Sequence, residues 1–369
     1  MNPFVYQSLP TRVVFGWGKL SALAEEIERL GARRALILTT PEQHGLGERV
    51  AALLGDRAAG VYPHAVMHVP LEVAQAARVE AARLDADCCV AIGGGSTIGL
   101  GKAIAMDSGL PIVAVPTTYA GSEMTPIYGL TENRLKKTGR DPRVLPKTVI
   151  YDPQLTLTLP AQISACSGMN AMAHAVEALY AEDANPIVGF MAEESIRSLA
   201  QALPGVVNDP NDPHARSQAL YGAWLAGICL GSVGMALHHK LCHTLGGTFN
   251  LPHAQAHAIV LPHAAHYNRE AAAEPLQRAA RALGGSSATE VGALLYALNQ
   301  KLGIPLALAD IGLPSNGPAE AAKIACASPY YNPRPFEQGP IEALLTRAMN
   351  GQAPARPRQR SQPMSEQEQ

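Results

Sequence analysis

Residues 88–105 read CCVAIGGGSTIGLGKAIA: an apolar run, three glycines, a serine, then a string of small residues. Cys88 to Ile92 has the length and character of a strand buried on both faces, and Gly99 to Ala105 suits a helix. Glycines at such a junction let the backbone approach a pyrophosphate, while the free amides and dipole of the helix start favour its negative charge. The spacing is not GxGxxG, and the plainer alternative is a tight strand-to-helix turn without a ligand. Gly93, Gly94, Gly95 and Ser96 are therefore candidate cofactor-binding residues.

Outward from this stretch, three more short apolar runs repeat the strand pattern: Ala35 to Thr40, Ile112 to Val115 and Val149 to Tyr151. Leu20 to Leu30 and Leu71 to Leu84 carry apolar residues at helical spacing. The alternation predicts an α/β domain with a mainly parallel, doubly wound sheet. Ligands of such sheets bind at the carboxyl ends of the strands. That rule adds Thr39, at the end of the first run, and the loop Pro116-Thr117-Thr118-Tyr119-Ala120-Gly121-Ser122-Glu123, with Thr117, Thr118 and Ser122 as candidates. Thr39 and Thr40 stand where an acidic residue would grip ribose hydroxyls and repel a 2′-phosphate. Their neutrality predicts that NADPH is accepted as well as NADH.

After Leu159-Pro160 the character changes to long Ala- and Leu-rich segments broken by Pro and Gly, which predicts an all-helical part. Helices are expected over Ser167 to Tyr180, Gly189 to Leu203, His214 to Leu230, Val233 to Leu245, Ala254 to His266 and Thr289 to Leu302. Ser287-Ala-Thr-Glu290 has the form of a capping box. The expected organisation is an NAD(P)-binding α/β domain over 1–158, a helical catalytic domain over 159–352, and a disordered tail over 353–369, where almost nothing is apolar.

The chain of 369 residues is 47% hydrophobic, enough for a sizeable core. Its 29 basic and 31 acidic residues leave a net charge of −2, which argues against nucleic acid or an anionic membrane as partner. No charged-then-apolar leader opens the sequence and no apolar run is long enough to span a bilayer, so a cytoplasmic location is expected. The six cysteines form no CxxC pair. Cys242, beside His243, reads as a small buried hydrophobe rather than a nucleophile.

Asn170 and His174 are four apart in one expected helix, and His239 and His243 in another, so each pair shares a helical face. His253 follows Pro252 at the start of a third. His257, His263 and His266 read as core histidines making one hydrogen bond each. Three imidazoles with a carboxylate would make a divalent metal site. Here the fourth position is Asn170, an uncharged and poor ligand, so metal affinity should fall steeply and leave the rings to bind substrate oxygens.

On these residues the chain, over roughly 3–350, resembles the iron-containing alcohol dehydrogenase superfamily, with its dehydroquinate synthase-like fold. That superfamily has a GGGS loop, a PTT loop and metal ligands in the order Asp, His, His, His, with a catalytic His four residues beyond the third. The positions fall here on Asn170, His174, His239 and His253, with His243 at the catalytic one. Four departures resemble the maleylacetate reductase branch: Asn170 for Asp; Gly99 for the Asp three residues after GGGS; the shortened loop Tyr119-Ala-Gly-Ser-Glu; and His238-His239-Lys240-Leu-Cys-His243.

The resemblance implies a reductase that uses NADH or NADPH to reduce the carbon–carbon double bond of maleylacetate, giving 3-oxoadipate in the degradation of aromatic compounds, without a metal and as a homodimer. Under it, His243 is expected to donate the proton. Asn170, His174, His239 and His253 would hold the ketone oxygen as negative charge collects there. Lys240 would pair with a substrate carboxylate, with Arg140, Lys147, Tyr330, Tyr331 and Arg334 as further candidates. The alternatives are a metal-dependent dehydrogenase of a small alcohol or aldehyde, and a protein that keeps the nucleotide site only as a sensor.

Overall fold

Along Cys88–Gly93 alternate side chains enter different cores: Cys89 and Ala91 face one way, Cys88, Val90 and Ile92 the other. A strand covered on both faces requires this. The computed structural model, which describes residues 3–67, 69–132 and 135–354, places the strand inside a six-stranded sheet. The tail expected over 353–369 lies outside the described residues from 355 onward.

In chain order the strands are β1 (Arg12–Phe15), β2 (Ala35–Leu38), β3 (Ala58–Tyr62), β4 (Cys88–Gly93), β5 (Ile112–Pro116), β6 (Ile127–Glu132), β7 (Leu135–Arg140) and β8 (Thr148–Tyr151). The sheet runs β1-β8-β5-β4-β2-β3 with every pair parallel. The helices α1 (Leu23–Arg29), α2 (His44–Leu54), α3 (Leu71–Arg83) and α4 (Gly95–Ser108) cover its two faces. Because β3 lies on one side of β2 and β4 on the other, the chain reverses direction across the sheet there. A crevice opens at such a switch point, and the glycine loop ending β4 borders it.

β6 and β7 form a separate antiparallel hairpin in what the sequence reads as a plain connection. The edge strands β1 and β3 also go unseen in the sequence. Each is only partly buried and so lacks a continuous apolar run.

The rest of the chain is helical: α5 (Ala161–Ala178), α6 (Pro186–Asn208), α7 (Pro213–Ser232), α8 (Leu237–Phe249), α9 (His253–Asn268), α10 (Ala273–Ala282), α11 (Val291–Lys301), α12 (Gly317–Ala327) and α13 (Gln338–Met349). α5 is central, packed against α6, α7 and α9 and buried along nearly its whole length. The expected capping box at Ser287 and Glu290 is present, although it opens a short 3-10 turn ahead of α11 rather than α11 itself. No single helix among the described residues is long and apolar enough to cross a membrane.

Arg216 joins the two parts. Fully buried on α7, it donates to the carbonyls of Pro210 and Leu159, to Ser164 Oγ at 2.8 Å and to the hydroxyl of Tyr119 at 3.4 Å. A buried guanidinium is tolerable only when its donors are satisfied in this way. Since Tyr119 belongs to the loop after β5, this network seats the sheet's carboxyl edge on the helices.

Candidate active site

The glycine loop is built for close approach. Gly93 has φ +151°, and a Cβ there would lie 2.5 Å from Thr97 Oγ1 and 2.8 Å from Gln43 Oε1. Gly94 caps α4 with extended backbone, so the amides of Gly95 and Ser96 open the helix toward the crevice. Thr118 packs over Gly94, and Thr117 is bound through its amide to the Gly93 carbonyl and through its hydroxyl to Gln43. The two loops read from sequence thus border one crevice.

Two of the candidates have other duties. Thr39 is fully buried beneath Gly47 of α2, so its side chain faces the helix rather than the crevice. Ser122 presents both its carbonyl and its hydroxyl to the buried ammonium of Lys102. Gly99 has a local reason as well: a Cβ there would lie 2.8 Å from a methyl of Val69, which leaves no room for a carboxylate.

The loop after β5 continues from the crevice to the histidines. Tyr119 donates its amide to Ser167 Oγ on α5, and at Gly121 (φ +83°) a Cβ would touch the backbone of Gly227 and come within 3.4 Å of His174 Nδ1. Only glycine allows that approach without strain. Asn170 and His174, one turn apart on α5, are both buried. The His174 ring stacks on that of His239 at 5.0 Å between centroids; His239 lies 6.0 Å from His243, which lies 6.5 Å from His253. The structure therefore brings together all five residues of the expected cluster, with His243 and His253 at the exposed mouth and Asn170, His174 and His239 at the floor.

Glu177, which the sequence reading left out, organises that floor. It is fully buried on α5, three residues beyond His174 and seven beyond Asn170, hence on the same helical face. Its carboxylate accepts the amides of Ala236 at 2.8 Å, His238 at 2.6 Å and His239 at 3.4 Å, and lies 2.7 Å from His239 Nδ1. These bonds supply the missing cap of α8, which begins at Leu237 and not at Val233 as the sequence pattern predicts. They also fix the His239 ring, with Nδ1 toward the carboxylate and Nε2 turned away from it.

His257 is fully buried, as a core histidine would be, and it borders the cluster. It makes one hydrogen bond, to His238 at 3.0 Å, but its ring lies 5.0 Å from His239 and 4.2 Å from His253. Burial, reinforced by the neighbouring imidazoles, pushes His174, His238 and His257 well below the ordinary histidine range, so all three are neutral. Burial likewise drives the Cys242 thiol well up, which removes it as a nucleophile. His263 and His266 lie apart, in a surface groove with Arg269, Arg334 and Arg347.

Of the basic candidates, Lys240 reaches the mouth, its Nζ 5.3 Å from the ring centre of Tyr330, whose hydroxyl is 3.2 Å from His243 Nδ1. Arg140 instead donates to the carbonyl of Gly231, and Arg334 stacks on Tyr267 and pairs with Glu337. Lys147 is exposed in the connection before β8, and Tyr331 is largely exposed.

Comparison with known proteins adds the family. Residues 10–153 match the model described as iron-containing alcohol dehydrogenase, and residues 164–349 the C-terminal model of the same family. A maleylacetate reductase from Burkholderia cepacia is 58% identical, the match covering 96% of this chain and all of that one. The solved maleylacetate reductase from Agrobacterium tumefaciens superposes with a TM-score of 0.93 at 52% identity, covering 96% and 100%. An iron-containing alcohol dehydrogenase from Corynebacterium glutamicum superposes at 0.91 with 45% identity, covering 95% and 98%.

These matches overturn the expectation that no metal is bound, because the family model and the Corynebacterium structure are both described as iron-containing. The residues fit such an ion. Asn170 Oδ1, His174 Nδ1 and His239 Nε2 are buried without a hydrogen-bond partner among the described residues, which is costly unless something else occupies them. Asn170 brings no charge, yet its amide oxygen can still serve as a metal ligand. Glu177 behind His239 is the kind of carboxylate that raises the basicity of a ligating imidazole.

Proposed function

The chain belongs to the iron-containing alcohol dehydrogenase family, and from that premise we infer that it reduces the carbon–carbon double bond of maleylacetate with NADH or NADPH, yielding 3-oxoadipate. The observation that carries this reading is the histidine cluster meeting the loop after β5 at Gly121, which brings a nucleotide crevice and a buried polar floor to one point. Iron held by Asn170, His174, His239 and His253 would act as a Lewis acid toward the ketone oxygen of the substrate.

The chain's own groups account for the rest. Hydride addition to the alkene carbon β to the ketone moves negative charge to the ketone oxygen, and a proton must then reach the neighbouring carbon. The floor residues that would hold the ion are fixed by burial and, for His239, by Glu177, so they need no reorganisation as charge develops on that oxygen. His243, at the open mouth and fixed by Tyr330, delivers the proton. Lys240, one residue beyond His239, faces the same mouth and pairs with a substrate carboxylate. The backbone amides of Gly94, Gly95 and Ser96, with Thr117 and Thr118, hold the cofactor's pyrophosphate.

The same proposal includes the nucleotide-binding part at 1–158, the catalytic helical part at 159–352, a homodimer, a cytoplasmic location and no nucleic acid or membrane partner. The test is oxidation of NADH and of NADPH with maleylacetate, with a short alkanal and with no acceptor, followed by identification of 3-oxoadipate. Turnover with maleylacetate is expected; turnover with the alkanal alone would replace this reading with that of an alcohol dehydrogenase.

A further inference from the structure

The mechanism leaves one buried cation unused. Lys102, on α4 seven residues beyond Gly95, has no solvent exposure. Its Nζ lies 2.7 Å from the carbonyl of Ser122, 3.2 Å from Ser122 Oγ, 2.8 Å from the carbonyl of Thr125, 3.0 Å from Thr125 Oγ1 and 2.7 Å from the carbonyl of Ile127. Five oxygens from a six-residue segment converge on one ammonium, three of them main-chain carbonyls. The turn itself supplies part of the bonding, since the Thr125 amide and hydroxyl both donate to the Ser122 carbonyl at 3.2 Å, but only the ammonium joins the oxygens of Ser122, Thr125 and Ile127 to one another and to α4.

The segment is not arbitrary. Ser122 to Ile127 continues directly from the loop Pro116–Gly121, which carries Thr117 and Thr118 and reaches Gly227 and His174. Lys102 lies about two turns along the helix whose first amides form the glycine loop, roughly 10 Å from its start. One helix thus carries the glycine loop at its N-terminus and the anchor of the second loop on its flank. Glu123, equally buried, supplies charge of opposite sign nearby and accepts from the hydroxyl of Tyr151 on β8 at 2.8 Å. Burial pulls the Lys102 ammonium down to about 7 even with Glu123 attracting it.

We propose that Lys102 is a positioning residue for the nicotinamide cofactor: its ammonium latches the segment Ser122–Ile127 to α4, fixing the spacing between the glycine loop and Thr117-Thr118 that a pyrophosphate must span. Lys102 does not touch the cofactor in this proposal. It acts through the backbone it gathers, and the inference rests on the reading of the crevice as an NAD(P)H site.

The test is titration of NADH and NADPH by cofactor fluorescence with purified wild-type protein, Lys102→Met and Thr125→Val, alongside KM for maleylacetate and thermal melting. Lys102→Met keeps the length of the side chain and removes the charge. Its dissociation constant for both cofactors is expected to rise roughly tenfold or more, while KM for maleylacetate at saturating cofactor changes less than threefold. Thr125→Val, which removes one acceptor and leaves the ammonium in place, is expected to raise the cofactor constant severalfold, and it carries the test should Lys102→Met fail to fold. Cofactor constants equal to wild type in the folded variants would overturn the latch. Equal losses for cofactor and for maleylacetate would do the same, because they would mark a general structural role. A wild-type chain that bound neither nucleotide would instead overturn the reading of the crevice, and the latch with it.

Discussion

Oε2 of Glu177 lies 2.7 Å from Nδ1 of His239, while the same carboxylate receives the amides at the start of α8. One buried side chain therefore does two things: it ends the amide deficit of a helix and fixes which nitrogen of His239 faces the site. Because α5 also carries Asn170 and His174, the position of α8 relative to the floor is set from within the floor itself.

Replacing Glu177 by Gln tests that coupling. The amide group keeps the shape but turns half of the carboxylate into a donor facing other donors, which leaves buried N–H groups unpaired at about 1–3 kcal/mol. A lower melting temperature is expected, together with a loss of roughly 10- to 100-fold in iron affinity, the usual cost of disturbing a partner behind a ligating histidine. Metal analysis after dialysis against graded chelator checks it. Wild-type iron retention in Glu177→Gln would show that the carboxylate serves the helix alone.

Gly93→Ala addresses the other end of the crevice. The residue sits at φ +151°, and the added methyl would meet Thr97 Oγ1 and Gln43 Oε1 below 3 Å. Backbone strain of about 1–3 kcal/mol is expected, along with displacement of Gln43 from Thr117. Calorimetry should show the destabilisation, and nucleotide titration a weaker cofactor complex. A Gly95→Ala control, with only Ala120 near at 3.9 Å, should be tolerated far better in stability.

The sequence shows these sites unevenly, for physical reasons. β4 and its glycines are legible because burial on both faces forces a continuous apolar run and the turn forces glycine. Asn170 with His174 and His239 with His243 are legible because helical spacing puts each pair on one face, and His253 because Pro252 marks it as the start of the next helix. Glu177 obeys the same spacing, but a lone Glu near a helix end is ordinarily a solvated charge, and only the approach of α8 gives it meaning. Lys102 is hidden for the same reason, since its five acceptors come from a loop twenty residues away. Thr39 illustrates the converse: its place at a strand end is right for the crevice, yet α2 packs directly over it.

Acid should destabilise the fold through α9. Burial, with smaller contributions from His266 and Arg347, pulls His263 from 6.5 to about 4, and burial with Arg269 does the same for His266. The folded chain keeps these rings neutral while the unfolded chain protonates them below 6.5. Their contribution is therefore fully present above 6.5 and is lost as pH falls from 6.5 toward 4. For the buried His263 alone this amounts to about 3 kcal/mol across the window. Melting temperatures at half-unit steps should fall through that range in wild type and fall less in His263→Gln; parallel curves would show that His263 titrates normally in the folded chain.

The mouth of the site separates proton delivery from charge pairing, because His243 and Lys240 both approach Tyr330 but offer different chemistry. His243→Ala removes the proposed proton donor, and kcat should fall about 10²- to 10⁴-fold with cofactor binding unchanged. Tyr330→Phe removes only the hydroxyl that holds the ring, so a smaller fall in kcat of roughly tenfold is expected. Lys240→Met retains the stem over Tyr330 and removes the charge, so its effect should appear mainly as a rise in KM for maleylacetate, with kcat within about threefold of wild type. Steady-state kinetics on the three variants distinguishes these roles. Should Lys240→Met lower kcat as far as His243→Ala while leaving KM alone, the assignments of donor and carboxylate partner would have to be exchanged.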